Sequence, residues 1–286
     1  FYSEAGEFVL FIATAGVIAL VIVAFLRWTA HLMRFGRMED TLDRVEAAAS
    51  EAVALRARSP CLGAAAWDGK KPEPALAVRG KSVGYVQHVD IPELSRIAEQ
   101  NGVCIWIKAS PGTFVHDSCV LAYVAPGELD QETGDAIRSA ITCAKARTFD
   151  QDPEYGVRVL SEIAIKALST AVNDPGTATD VIGRLVRVLA PWRSEQTETE
   201  EDPRIFMEPL VTHSLLEEAM LPIAREAGRT VEVYNQIQRA LYALVCTAPE
   251  TFEESAAKVS TATVELGERA GLQRSELTIG CPDFAS

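Results

Sequence analysis

The chain has 286 residues, of which 48% are hydrophobic and 23% are charged, and its formal net charge at pH 7 is −13. This acidic balance argues against nucleic acid as a main partner, because phosphate binding needs clustered lysine and arginine side chains. The length allows one membrane segment and one or two soluble domains.

The first predicted element is an uncharged, apolar run from Phe8 to Leu26, which lies between Glu7 and Arg27. At about 1.5 Å per helical residue, the run is long enough to cross the ~30 Å hydrocarbon core of a bilayer. It predicts a transmembrane helix with membrane lipid as its partner. Two alternatives are a signal peptide, whose basic residues would lead the run rather than follow it, and a buried helix, which would carry more polar interruptions.

Arginines follow the apolar run, whereas acidic residues precede it. The positive-inside tendency therefore predicts that the C-terminal part of the chain faces the cytoplasm. We expect Arg27, Trp28, Arg34 and Arg37 to lie at the membrane interface.

From Arg27 to Arg58 the chain keeps a helical pattern that Ser59-Pro60 ends. Apolar residues recur at steps of three and four along it, namely Leu32, Phe35, Met38, Leu42, Val45 and Ala49. This spacing predicts that the membrane helix continues as an amphipathic stalk, which completes a first region over residues 1–58. The apolar stripe needs a partner, either the chain's own soluble domain or a second copy of the chain.

Residues 59–127 carry strand-forming residues in short runs, among them Gly84–Asp90, Val103–Lys108 and Cys119–Val124. Ile91-Pro92 opens a short helix that Asn101-Gly102 ends. Such short elements in one segment predict a small domain that resembles a β-barrel or sandwich.

The segment over residues 128–192 has helical patterns, with one helix predicted from Asp135 to Ala146 and another beginning at Asp152-Pro153. Residues 193–204 are strongly acidic and predict a solvated linker. Residues 205–286 read as a short strand followed by a C-terminal helical segment. The predicted fold class is therefore an α+β membrane protein: a transmembrane helix extended as a stalk, a small barrel-like or sandwich-like domain, and a C-terminal helical domain.

One constellation differs from ordinary helical sequence. Each of two Asp-Pro pairs, at Asp152 and at Asp174, is placed where a carboxylate caps the first amides of a helix. One interpretation is a ligand-binding pocket in which five polar residues converge: Arg147, Asp150, Asp152, Asn173 and Asp174. The alternative is that the aspartates are structural caps and that Arg147 pairs with Asp150 or Asp152.

Other chemistry-bearing patterns are weak. The histidines show no zinc-binding spacing, the six cysteines form no CxxC pair, and glycine-rich phosphate loops are missing from the sequence. The sequence therefore predicts no catalytic residues, no metal site and no cofactor.

The chain resembles a family of uncharacterised bacterial membrane proteins, DUF2254. The motifs that carry the resemblance are Gly84-Tyr-Val-Gln-His-Val-Asp90, Pro111-Gly-Thr-Phe-Val115, Arg147-Thr-Phe-Asp-Gln-Asp152 and Ala167-Leu-Ser-Thr-Ala-Val-Asn-Asp-Pro175. The resemblance implies that the apolar run is the last of several membrane helices, with earlier ones preceding Phe1. It also implies a bacterial inner membrane location with cytoplasmic C-terminal domains, and it implies no catalytic residue.

Two functions follow as hypotheses. The first is a membrane-anchored, cytoplasm-facing protein that forms a homo-oligomeric assembly or joins other membrane subunits, as a channel or transport-associated component. The second is a membrane-tethered ligand sensor or enzyme that uses a polar pocket around Arg147 to Asp174.

Overall fold

A computed structural model describes residues 4–34, 38–126, 130–192 and 202–277. The chain forms two compact units, Phe1–Arg44 and Val45–Ser286. The finer division predicted from the sequence, with boundaries after residues 58, 127, 192 and 204, stays a prediction. Most of the predicted acidic linker, residues 193–201, lies outside the described residues.

The first unit contains helix α1 (Glu4–Arg34) and the beginning of helix α2 (Met38–Arg58). Within α1, the segment Phe8–Thr29 has a mean hydropathy of 3.0 and none of it is buried. The predicted apolar helix is thus confirmed, and its length and composition suit a membrane span.

Three of the predicted interfacial residues, Arg27, Trp28 and Arg34, belong to the C-terminal part of this helix. Trp28 is exposed, and its ring centroid lies 6.4 Å from that of Phe25. Arg27 is exposed, and Arg34 is the last residue of α1. Arg37 lies outside the described residues, so the interfacial role of this group stays a prediction.

The second unit contains two β-sheets. Their strands are β1 (Ala64–Ala66), β2 (Leu76–Arg79), β3 (Gly84–Val89), β4 (Cys104–Ile107), β5 (Phe114–Val115), β6 (Val120–Ala125), β7 (Ile141–Ala144) and β8 (Asp202–Met207). The larger sheet has the order β1-β8-β4-β6-β2, in which β8 runs parallel to β1 and β4 while the other pairs are antiparallel. The smaller sheet has the order β5-β3-β7 and is antiparallel.

The predicted β-barrel is therefore wrong, because the described strands form two open sheets. Each sheet also recruits a strand from outside residues 59–127. In β8, Ile205 and Met207 are buried and pair with Ile105 and Ile107 of β4. Such long-range pairing inserts β8 between β1 and β4 of the larger sheet, so the local β-rich segment does not close on itself.

The described helices beyond α2 are α3 (Ile91–Asn101), α4 (Gln131–Ser139), α5 (Pro153–Leu168), α6 (Pro175–Leu189), α7 (Thr212–Glu226), α8 (Val231–Thr247), α9 (Pro249–Arg269) and α10 (Arg274–Leu277). Helix α5 packs against α6 and α7, and α8 packs against α6 and α9. The helical character predicted for the C-terminal segment is confirmed.

One predicted helix is wrong in its second half. The sequence predicts a helix from Asp135 to Ala146, but α4 ends at Ser139 and β7 follows. The backbone of β7 pairs with β3, from Ile141 opposite Val89 to Ala144 opposite Tyr85. That pairing satisfies the backbone groups of a segment whose local pattern is ambiguous, so tertiary context overrides propensity.

The C-terminal half of α2 is part of the second unit and not a free stalk. Ala49, Ala52 and Val53 are buried. A Cβ atom at Gly156 of α5 would lie 2.6 Å from the Cβ of Ala49, so the two helices approach closely at a glycine. Of the two partners predicted for the apolar stripe, the chain's own domain covers this part.

Glu46 of α2 forms ion pairs with two arginines of α6. Its carboxylate lies 2.7 Å from Nη1 of Arg184 and 2.5 Å from Nε of Arg187. The hydrogen bond from Arg187 outweighs the effect of burial and lowers the pKa of Glu46 below its usual value. Glu46 therefore stabilises the folded protein while it is ionised.

We expect Glu46→Gln to lower the free energy of unfolding by about 1–3 kcal/mol at pH 7, because charged hydrogen bonds are lost. Since the pKa of Glu46 is lowered on folding, its contribution is fully present above the unfolded pKa, near 4.5, and fades as the pH falls through the lower folded pKa. Urea unfolding of the full chain in detergent, at pH 7 and at about pH 3, measures both effects. Exposed Glu51 on the same helix supplies the control Glu51→Gln, and equal losses for the two variants would contradict the prediction.

Candidate functional site

Hydrogen bonds join β3 to the segment that contains Arg147 and Asp152, although the two are distant in sequence. The side chain of Gln87 donates to the carbonyl of Ala146 over 2.7 Å. The side chain of Gln151 accepts from the amide of Val89 over 2.8 Å and donates to its carbonyl over 3.3 Å, as a neighbouring strand would. These bonds hold the Arg147–Asp152 segment beside the smaller sheet.

The turn at Ser110–Thr113 reaches the same place. The amide of Gly112 donates to the carbonyl of Val86 over 2.8 Å, and Val86 in turn donates to the carbonyl of Thr113 over 3.0 Å. Gly112 has a φ of +88°, which side-chain-bearing residues rarely adopt. A Cβ atom at this position would lie 2.5 Å from Oδ2 of Asp152 and 2.8 Å from Nη2 of Arg147.

Arg147 and Asp152 form a bidentate ion pair beneath this turn. Nε of Arg147 lies 2.7 Å from Oδ2 of Asp152, and Nη2 lies 2.8 Å from Oδ1. The two side chains are 12% and 3% exposed, respectively. Burial lowers the pKa of Arg147, but the hydrogen bonds to Asp152 and the charge of its carboxylate together outweigh burial, so the pKa is raised.

Further contacts position this pair. The Cζ atom of Arg147 lies 5.3 Å from the ring centroid of Tyr155, which is a cation–π distance. Oδ1 of Asp152 also accepts from the amide of Tyr155 over 3.1 Å, so the carboxylate is the N-cap of α5. Of the two partners predicted for Arg147, the structure selects Asp152.

A cavity of about 230 Å³ lies beside the ion pair, and we refer to it as the Arg56 cavity. It is bounded by Arg56, Ser110, Pro111, Gly112, Thr113, Arg147, Gln151, Asp152, Pro153, Glu154, Glu208, Pro209 and Leu210. Besides Asp152, its other two acidic side chains also have partners: Glu154 accepts from the hydroxyl of Ser214, and Glu208 lies 2.5 Å from Nζ of Lys108.

A second, larger cavity of about 770 Å³ runs along α2, and we refer to it as the α2 groove. Its walls are residues of α2 and the segment from Arg147 to Asp150, together with Tyr155. Arg147 lines both cavities. Oγ1 of Thr148 is buried there and has no hydrogen-bond partner in the described part of the chain.

The five residues predicted to converge are divided between two places. Arg147, Asp150 and Asp152 lie together at the start of α5, where Asp150 is exposed and lines the α2 groove. Asn173 and Asp174 follow the other end of α5, whose 16 residues span about 24 Å.

Asn173 and Asp174 have the geometry of a helix start. Oδ1 of Asp174 accepts from the amide of Thr177 over 3.1 Å, and its Oδ2 accepts from the Thr177 hydroxyl over 2.5 Å. Asn173 is exposed and has a φ of +50°. These contacts are those of a cap for α6, and ligand binding by any of the five predicted residues stays a prediction.

The family described as "Predicted membrane protein (DUF2254)" matches residues 2–243. The chain belongs to this family. Three of the motifs that carry the resemblance, beginning at Gly84, Pro111 and Arg147, are the segments that meet around the Arg147–Asp152 pair. The motif that ends at Pro175 lies at the other end of α5.

Uncharacterized proteins of Mycobacterium bovis and of Mycobacterium tuberculosis are 24% identical to this DUF2254 chain over 205 residues. Each match covers 65% of this chain and 38% of the relative. The chain therefore matches well under half the length of these curated relatives. No solved structure matches it significantly.

Arg56 is not among the site residues predicted from the sequence. This side chain is 3% exposed, and its Nε and Nη1 atoms have no hydrogen-bond partner within the described ranges. A signal was present, because Arg56 continues the stripe of Ala49 and Val53 at the same spacing of three and four residues. An arginine on the apolar face of an amphipathic helix predicts a buried charge.

The described residues contain no group of three or more His, Cys, Asp or Glu side chains arranged to hold a metal ion. The polar atoms around Arg147 are instead guanidinium donors, carboxylate acceptors and the backbone of a glycine turn. This arrangement suits recognition of a small polar molecule by hydrogen bonds and charge.

Proposed function

We propose that this DUF2254 chain is a membrane-anchored ligand-binding protein of the sensor type, and that its ligand occupies the Arg56 cavity. The observation that carries the proposal is the buried guanidinium of Arg56, whose Nε and Nη1 atoms have no hydrogen-bond partner among the described residues, beside a preorganised ion pair. A buried charged donor left unsatisfied destabilises the folded state, and a bound molecule that accepts its hydrogen bonds removes that cost.

The shape of the site supports the same proposal. Ligand sites are concave and carry a few fixed polar groups, and here Gln151 and the turn at Gly112 hold those groups in place. The volume of about 230 Å³ lies below the range of about 300–1,000 Å³ that drug-sized ligands occupy, so the proposed ligand is small.

Helix α2 could transmit ligand binding to the rest of the chain, because it contributes to the walls of both cavities. Residues of α2 line both cavities, and α2 follows the apolar helix α1 in the sequence. We therefore propose that occupancy of the Arg56 cavity changes the position or the stability of α2. A ligand can shift such an equilibrium only by its difference in affinity for the two states.

The proposed function also requires a location and an orientation in the membrane. The family description and the apolar helix α1 support a membrane protein. We propose a bacterial inner membrane location in which the second unit faces the cytoplasm, with α1 in contact with lipid. Labelling of engineered single cysteines in intact cells and in inverted vesicles tests the orientation, and labelling of the second unit in intact cells would refute it.

A homo-oligomeric assembly, as a channel or transport-associated component, is the second candidate. It is favoured by the side chains of α1 from Phe8 to Trp28, which are exposed on all sides and so need lipid or further helices around them. The buried residues of α2 no longer favour it, because the chain's own second unit covers them. Light scattering of the full chain in detergent tests it, and a strict monomer would exclude it.

Thermal unfolding of the full chain in detergent tests the ligand proposal. We expect at least one member of a panel of small anionic, neutral and cationic metabolites to raise the Tm of the wild type. Thr113→Phe should abolish that rise because the added ring enters the Arg56 cavity, whose wall includes Thr113. Exposed Thr261 on α9 supplies the control Thr261→Phe, and a rise that survives Thr113→Phe would refute the proposal.

A further inference from the structure

Arg56 differs from Arg147, the other arginine that lines the cavity, because two of its donor atoms lack a partner among the described residues. Arg147 donates twice to Asp152 and lies over the ring of Tyr155. Arg56 is 3% exposed, and its Nε and Nη1 atoms donate to no atom among the residues that the structure describes. Arginine stays protonated in proteins, so this is a buried positive charge with donors to spare.

The two carboxylates whose charges act on Arg56, those of Asp152 and Glu154, already have other hydrogen-bond partners. Asp152 accepts from Arg147 and from the amide of Tyr155, while Glu154 accepts from the hydroxyl of Ser214. Burial lowers the pKa of Arg56, and the charges of Cys61, Asp152 and Glu154 offset this only in part. Arg56 is thus a buried cation, and the carboxylates of Asp152 and Glu154 are bonded to groups other than its guanidinium.

The guanidinium itself favours an anionic group in the cavity. The first residues of α5, Pro153 and Glu154, also line the cavity, but Pro153 has no backbone N–H and Asp152 already caps this helix start, so the amides of α5 do not supply the anion site. The turn at Gly112 brings backbone instead of a side chain against the Arg147–Asp152 pair. Guanidinium groups bind carboxylate and phosphate oxygens by two parallel hydrogen bonds.

We propose that Arg56 anchors the oxyanion group of a small ligand, either a carboxylate or a phosphate. This inference rests on the proposed function, since it names the chemical class that the Arg56 cavity binds. Asp152, Glu154 and Glu208 also line the cavity, so hydroxyl or ammonium groups on the same ligand would face carboxylate acceptors.

The test compares the wild type, Arg56→Met, Arg56→Lys and the control Arg239→Met, all as full chains in detergent. Arg239 is an exposed arginine of α8, so the control makes the same chemical change away from the cavity. The probes are inorganic phosphate, acetate and dihexanoyl phosphatidic acid, with sodium chloride at matched ionic strength as the reference. The three probes distinguish a free phosphate, a carboxylate and a lipid headgroup as the source of the oxyanion.

We expect at least one probe to raise the Tm of the wild type and of Arg239→Met by about 2–4 °C, relative to sodium chloride. Arg56→Met should lose this shift, and Arg56→Lys should keep only part of it because an ammonium lacks the planar fork. Without any probe, the Tm of Arg56→Met should equal or exceed that of the wild type, since a buried unpaired charge has been removed.

Two results would overturn the proposal: no probe shifts the Tm of the wild type, or Arg56→Met keeps the shift. If Arg56→Met does not fold, Arg56→Lys provides the test. A probe-induced rise in the Tm of Arg56→Lys as large as that of the wild type would also overturn the proposal. A neutral or cationic metabolite that stabilises the wild type and fails on Thr113→Phe would leave the proposed ligand site standing while removing the oxyanion assignment.

Discussion

Arg147→Met is expected to lower the free energy of unfolding by about 3–5 kcal/mol, because it leaves the carboxylate of Asp152 buried without its cation. The side chain of Asp152 is 3% exposed and accepts two hydrogen bonds from Arg147, so water cannot replace the lost donors without opening the site. Urea unfolding of the full chain in detergent measures the loss.

Arg158→Met is the matched control for this prediction. Arg158 also forms a bidentate pair, with Glu218, but its side chain is 45% exposed. Exposed pairs contribute about 0–1 kcal/mol, so the control should lose little stability. Similar losses for the two variants would show that the burial of the Arg147–Asp152 pair has no energetic consequence.

A double-mutant cycle separates the pair from its surroundings. Asp152→Asn removes the charge while it keeps an oxygen that can cap α5, so its loss reports mainly on the ion pair. We expect the double variant Arg147→Met/Asp152→Asn to lose less stability than the two single losses added together, since neither partner is then left as a lone buried charge. Strict additivity would contradict a direct coupling.

Gly112→Ala is expected to lower the free energy of unfolding by about 2–6 kcal/mol, from backbone strain and overpacking together. The strain arises from the φ of +88°, and the overpacking from a Cβ atom that would lie 2.5 Å from Oδ2 of Asp152. The new methyl group must displace either the turn or the ion pair. We therefore also expect any ligand-induced rise in Tm to be lost in this variant.

Gly102→Ala is the control that introduces backbone strain without the overpacking expected at Gly112. Gly102 ends α3 with a φ of +63°, but a Cβ atom there would meet no described atom within 4 Å. Its loss should be limited to the strain, about 1–3 kcal/mol. The difference between the two variants then measures the crowding at Gly112, and equal losses would mean that the ion pair moves aside without cost.

Elements with a strong local signal were predictable. The Asp-Pro pairs begin α5 and α6, and Asn101-Gly102 ends α3 in a left-handed cap, as their side-chain and backbone preferences require. The capping role of Asp152 and Asp174 follows from the same chemistry. By contrast, the sequence does not distinguish between Asp150 and Asp152 as the partner of Arg147, because both are within reach along the chain.

The sequence by itself determined the features whose causes are local: the apolar helix from its hydropathy, the helix starts from their caps, and the family from its motifs. The tertiary structure decided which distant segments meet. It placed β7 and β8 in open sheets, it brought the turn at Gly112 onto the Arg147–Asp152 pair, and it buried Arg56 beside them. Pairing of strands and burial of charge depend on contacts between residues far apart in the chain, and the preferences of neighbouring residues carry no information about those contacts.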